Sequence, residues 1–124
     1  MIDNDESAIN LVLQDYFLGI FNADIERLEA IFDVDCRLYA PGIRLTLPEW
    51  LKAVAGRSVP RDLGNPYAFN VLALDIVRDQ AMAKVHCPIF EFNYIDFIGL
   101  LKQDGQWRIV SKMYVDVGSS SNSN

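Results

Sequence analysis

The stretch YIDFIGLLKQDGQWRIVSKMYV, residues 94–115, decides the fold. Two apolar runs flank the dipeptide Asp104-Gly105. Asp-Gly between alternating apolar runs marks a two-residue β-hairpin, because a type I′ turn needs positive φ at both of its central residues. Residues 94–103 and 106–116 are therefore read as long antiparallel strands. The four runs 68–78, 81–91, 94–103 and 106–116 are rich in Val, Ile, Phe and Tyr. Arg78-Asp79-Gln80 and the Phe92-Asn93 region are the expected connections between them. Four long strands in succession make a meander that no helical bundle explains.

Toward the N-terminus the apolar period changes. Ile9, Val12, Leu13, Tyr16, Phe17 and Ile20 recur at three- and four-residue spacing. This single stripe predicts a helix from Ser7 to about Asn22, capped by Ser7 or Asp5 after a short acidic lead. Asp24 is a suitable N-cap for a second, short helix that buries Leu28, Ile31 and Phe32. Cys36 to Ala40 reads as a strand, Pro41-Gly42 as a turn, and Ile43 and Leu45 as the returning strand. Thr46-Leu47-Pro48-Glu49 fits a capping box and predicts a third helix from Leu47 to Ala55, burying Trp50, Leu51 and Val54. Gly56, Pro60, Gly64 and Pro66 mark residues 56–67 as a loop over one end of the sheet.

Helices followed by a strand meander predict an α+β fold, with three N-terminal helices on one face of a curved sheet. The space between the layers would form an apolar pocket. One domain is expected over residues 1–117. The Gly-Ser-Ser-Ser-Asn-Ser-Asn run at 118–124 is expected to be a flexible tail.

Composition narrows the function classes. The net charge of −6 argues against nucleic acid as a partner. Residues 1–35 carry nine acids and one base, Arg27, while residues 36–124 carry eight acids and ten bases. This asymmetry reads as an acidic solvated helical face over a near-neutral sheet. No apolar run approaches the roughly 20 residues of a membrane span, and the N-terminus lacks the basic and apolar regions of a signal peptide. Cys36 and Cys87 sit in strand-like runs and make neither a disulfide framework nor a metal site. A cytoplasmic protein without metal or cofactor is expected.

Three stretches carry a resemblance. They are Tyr16 to Phe32, with Asn22-Ala23-Asp24 inside it, then Leu47-Pro48-Glu49-Trp50-Leu51, and the run from Asp96 to Lys112 around Asp104-Gly105-Gln106-Trp107. Their order and spacing over residues 7–116 resemble the NTF2-like superfamily, and within it the SnoaL-like and putative lumazine-binding subgroups. The resemblance implies a cystatin-like cone, a homodimer formed through the sheet, and functions from cofactor-free isomerases, dehydratases and cyclases to proteins without chemistry.

The ketosteroid isomerases of this superfamily combine an Asp base with a Tyr and a protonated Asp that donate to a developing oxyanion. By resemblance, Tyr16 takes the place of that Tyr and Asp96 that of the protonated Asp. The base falls at residue 40, which is Ala40 here and cannot accept a proton. His86, the one histidine, is the remaining candidate base. Each residue also has a plain structural reading: Tyr16 as core, Asp96 as a carboxylate in water or paired with Lys112, and His86 as a surface residue. Tyr39, Trp50, Tyr67 and Tyr114 are candidate pocket walls, and Arg61 a candidate anion contact. Two functions remain open at this level. One is binding, with possible turnover, of a small apolar or carbonyl-bearing molecule; the other is a non-catalytic dimeric interaction module. For the dimer, strict alternation places Trp107, Ile109, Met113 and Val115 on one sheet face.

Overall fold

Asn4, ahead of the expected caps, opens the first helix by accepting the Ser7 N–H on its side-chain oxygen at 3.0 Å. The computed structural model describes residues 4–118. The helices are α1 (Asp5–Asn22), α2 (Ile25–Ile31) and α3 (Leu47–Gly56). The strands are β1 (Phe32–Ala40), β2 (Ile43–Thr46), β3 (Asn70–Val77), β4 (Gln80–Ile89), β5 (Phe92–Gln103) and β6 (Gln106–Asp116). Asp5 and Glu6 thus belong to the first helical turn, where negative charge suits the helix dipole. After Gly118, the expected tail lies outside the described residues.

Ala23 ends α1 in the left-handed region, with φ of 52°, and the Asp24 N–H returns to the Gly19 carbonyl at 2.9 Å. Asp24 then caps α2 by accepting the Arg27 N–H at 3.2 Å. The two helices touch closely at Gly19: a Cβ there would lie 2.5 Å from Leu28 Cγ. Both bonds of the capping box join Thr46 and Glu49 at the start of α3.

The six strands form one sheet in the order β2-β1-β6-β5-β4-β3. The β1–β6 pair is parallel and the other four pairs are antiparallel. The three helices pack on one face of this mixed, curved sheet, giving the α+β cone. β1 starts at Phe32, four residues before the expected Cys36. The β4–β5 turn falls at Phe90-Glu91, not at Phe92-Asn93. Asn65, in the loop after α3, holds this turn by accepting the Phe90 N–H at 2.7 Å. Asp104-Gly105 forms the expected turn, with φ of 53° and 77°. No helix among the described residues is long and apolar enough to cross a membrane.

One irregularity reorganises the last strand. Leu100 pairs with Ile109, but the adjacent Gly99 pairs with Ser111, so Val110 is an extra residue in β6. Before it, Trp107 and Ile109 face the helices; after it, Lys112 does, while Met113 and Val115 face outward. The expectation of Trp107, Ile109, Met113 and Val115 on one face is therefore wrong, because the bulge shifts the alternation by one. At the open end of the sheet, Trp107 Nε1 and Lys102 Nζ each donate to Asp5 Oδ1 at 3.0 Å.

Deleting Val110 removes the extra residue, and strict alternation then keeps Trp107, Ile109 and Lys112 facing the helices and Met113 facing outward. The deletion variant is therefore expected to keep a cooperative thermal melt by circular dichroism. Loss of cooperative unfolding in that variant would refute this account of the bulge.

Candidate functional site

Tyr16 lies on the buried stripe of α1 and is fully enclosed. Its ring packs against Phe17, Phe32 and Trp50, with centroids 5.9, 6.2 and 6.5 Å away. Asp96 faces it from the middle of β5, between Val85 of β4 and Tyr114 of β6. The Tyr16 hydroxyl donates to Asp96 Oδ2 at 2.6 Å, across 80 residues of sequence. The Cys87 thiol donates to the same oxygen at 3.4 Å. The other oxygen, Oδ1, is buried and has no hydrogen-bond partner among the described residues. Asp96 as a whole is only 2% exposed.

Lys112, 5% exposed, points inward from β6 just past the bulge. Its Nζ lies 4.1 Å from the Trp50 ring centroid, 4.9 Å from that of Tyr114 and 5.1 Å from that of Tyr16. These distances put the ammonium within cation–π range of three rings. Among the described residues it forms no ion pair with Asp96 within 4 Å. Arg57, at the end of α3, sets its guanidinium 5.3 Å from the Phe90 ring centroid, and its Nε is buried without a partner.

These groups line a cavity of about 200 Å³ between α3, β2 and the inner face of β4, β5 and β6. Trp50, Arg57, Cys87, Tyr94, Asp96, Lys112 and Tyr114 are among its walls. A larger, more open recess of about 330 Å³ lies by the β3–β4 hairpin, against Asp75, Met82 and Gly99, and contains neither orphaned atom.

The surroundings set the titration of the site. Burial, and then the Asp96 charge, lift the Tyr16 phenol well above its ordinary range. The same two causes lift the Cys87 thiol, and burial pushes Cys36 up to about 12, so neither thiol is a nucleophile at neutral pH. Burial pushes the Lys112 ammonium down, partly offset by Asp96, and also lowers Arg57.

The structure brings together four of the sequence candidates: Tyr16, Asp96, Trp50 and Tyr114. It separates the others. His86 projects from the opposite face of β4 to Val85 and Cys87, and its Nε2 meets Asn93 Oδ1. Tyr39 pairs with Met113 on the outer face, beneath the Arg44 guanidinium. Tyr67 packs edge-on against Phe21 and Phe69. Arg61 is exposed beside Asp62 at 3.5 Å. Arg57 was not anticipated, since the loop reading of 56–67 hid its place at a helix end. The sequence offers Lys112 only as a structural partner of Asp96, an ion pair that is not formed within 4 Å among the described residues.

A family described as "Putative lumazine-binding" matches residues 4–115. The chain belongs to that family. Among solved structures, an NTF2-like protein of unknown function from Shewanella baltica is 24% identical, covering 93% of this chain and 95% of that one, with a TM-score of 0.82. A second, from Methylobacillus flagellatus, is 21% identical over 92% and 93%, with a TM-score of 0.78. An uncharacterised protein with a cystatin-like fold from Caulobacter vibrioides gives 16% identity over 96% and 94%, with a TM-score of 0.67. At these identities the structures establish the NTF2-like fold alone. No curated protein matches the chain.

Tyr16→Phe removes the strongest donor to Asp96 and is expected to cost about 1–3 kcal/mol in denaturant unfolding. The Tyr16 phenol is raised above its unfolded value of 10.0. Its stabilising effect is therefore complete below that pH and is lost as pH rises beyond it. The wild type should lose its advantage over Tyr16→Phe in alkali; a stability gap that stays constant there would count against the buried hydrogen bond.

Proposed function

We propose that the cavity beneath α3 binds one small, flat, carbonyl-bearing molecule without proton-shuttling chemistry. The observation that carries this reading is Asp96, a residue of the cavity wall whose Oδ1 is a buried acceptor with no partner among the described residues. Leaving such an atom unsatisfied costs about 1–3 kcal/mol, and a ligand donor would recover it. The volume limits the ligand. Sites for drug-sized molecules span roughly 300–1,000 Å³, so a cavity of about 200 Å³ suits one or two rings rather than a steroid.

Three features favour binding over isomerase-type catalysis. Ala40 stands where the resemblance requires a base. His86 is on the other sheet face. The Tyr16 proton is committed to Asp96, which leaves that hydroxyl unable to donate to a substrate oxyanion. In this reading Tyr16 is a positioning residue and Asp96 the ligand contact. The buried free thiols Cys36 and Cys87 accord with a reducing, cytoplasmic setting.

Lumazine, named in the family description, is the first probe because its ring edge alternates N–H donors and carbonyl acceptors. Trp50 lies in the cavity wall and reports on occupancy. Lumazine or a comparable flat carbonyl compound is expected to change Trp50 emission saturably, and Asp96→Asn is expected to weaken binding about ten-fold or more. No response to any of these compounds, or full affinity in Asp96→Asn, would overturn the reading.

A homodimer through the outer sheet face is a second element of the proposal. Met82, Phe97, Met113 and Val115 are each nearly half exposed there, and cross-strand pairing joins Phe97 to Met113. Light scattering should give twice the chain mass for the wild type and a monomer for Phe97→Glu, with cavity binding intact. A wild-type monomer at micromolar concentration would exclude this interface.

A further inference from the structure

The three charged groups lining the cavity, together with its walls, specify more than a flat molecule. Arg57 and Lys112 are cationic and Asp96 is anionic, so the lining carries one uncompensated positive charge. Among the described residues, Arg57 Nε is a buried donor without an acceptor, and Asp96 Oδ1 is a buried acceptor without a donor. Lys112 Nζ meets only ring faces and makes no hydrogen bond among the described residues. The remaining walls include Trp50, Tyr94, Tyr114, Leu45 and Ile89, which are aromatic or aliphatic. A neutral ligand satisfies Asp96 but leaves two desolvated cations facing one carboxylate. A dianion overshoots the charge and carries a heavy desolvation cost in so small a space. A monoanion with one hydrogen to donate satisfies all three groups.

We propose that the cavity selects a small aromatic monocarboxylate bearing a ring hydroxyl or N–H. Its carboxylate sits between Arg57 and Lys112, and its donor bonds Asp96 Oδ1. This inference rests on the binding reading above and names its ligand class. Arg57 supplies planar, directional donors suited to a carboxylate, while the Lys112 ammonium acts as a point charge held by the rings. Loss of either cation should therefore reduce the preference for the anion without abolishing fit to the apolar walls.

The test is calorimetric titration of the full chain with the three hydroxybenzoate isomers, benzoate, the matching hydroxybenzamides, and lumazine. At least one hydroxybenzoate is expected to bind about ten-fold or more tightly than benzoate, which lacks the donor, and than its own amide, which lacks the charge. Asp96→Asn should erase the advantage of the hydroxyl, and Arg57→Gln and Lys112→Met the advantage of the acid. Should a variant fail to fold, the ranking of compounds on the wild-type protein still decides. Amides binding as tightly as acids, or benzoate equalling every hydroxybenzoate, would overturn the proposal. Binding of lumazine with none by any hydroxybenzoate would overturn this inference while sparing the binding reading; binding by no compound would overturn both.

Discussion

The extra residue at Val110 governs the interior of this protein. A β-strand alternates its side chains strictly, so the sequence of β6 would send Trp107 and Lys112 to opposite faces. With one residue unpaired between Ile109 and Ser111, both face the helices. The N-terminal half of the strand then supplies aromatic and aliphatic core, and the C-terminal half supplies Lys112 and Tyr114 to the cavity. Gly99, opposite the bulge, leaves room for Ser111: a Cβ at residue 99 would collide with the Ser111 hydroxyl. The bulge therefore links the packing of the core to the chemistry of the cavity.

Burying Asp96, Lys112 and Arg57 is not a route to stability. Desolvation of charges is expensive, and apolar replacements of similar volume are often neutral or favourable. The surrounding groups offset only part of that cost. Two donors hold one oxygen of Asp96, and three ring faces surround Lys112. Among the described residues, two buried side-chain polar atoms remain unsatisfied, and both belong to residues that line the same cavity. The proposed ligand would resolve both at once.

How far the sequence could be read depended on whether a feature is local. The Asp104-Gly105 turn, the Thr46–Glu49 capping box and the stripe of α1 are each settled within a few residues, and each forms as read. The Phe90-Glu91 turn has no such signal, because Asn65, 25 residues away, stabilises it. Tyr16 and Asp96 are 80 residues apart, and no periodicity joins them; only the likeness to a known fold suggested that they meet. The outward position of His86 was consistent with its alternation against Val85 and Cys87. Met113 and Val115 fall on the opposite face from Trp107 and Ile109 because of a bulge, and bulges leave little trace in composition. Arg57 was missed because its place depends on where α3 stops.

The dependence on where α3 stops makes that helix a dial. α3 starts at a fixed point, pinned by its capping box directly after β2, and Arg57 follows its final residue. One added residue would carry that guanidinium about 1.5 Å along the axis and about 100° around it. With the residue added after Ala53, the walls supplied by Trp50 and Ala53, by α1 and by the sheet would stay where they are. The electrical character of the chamber can thus be reset by counting residues in one short helix, with no substitution among the side chains of its floor.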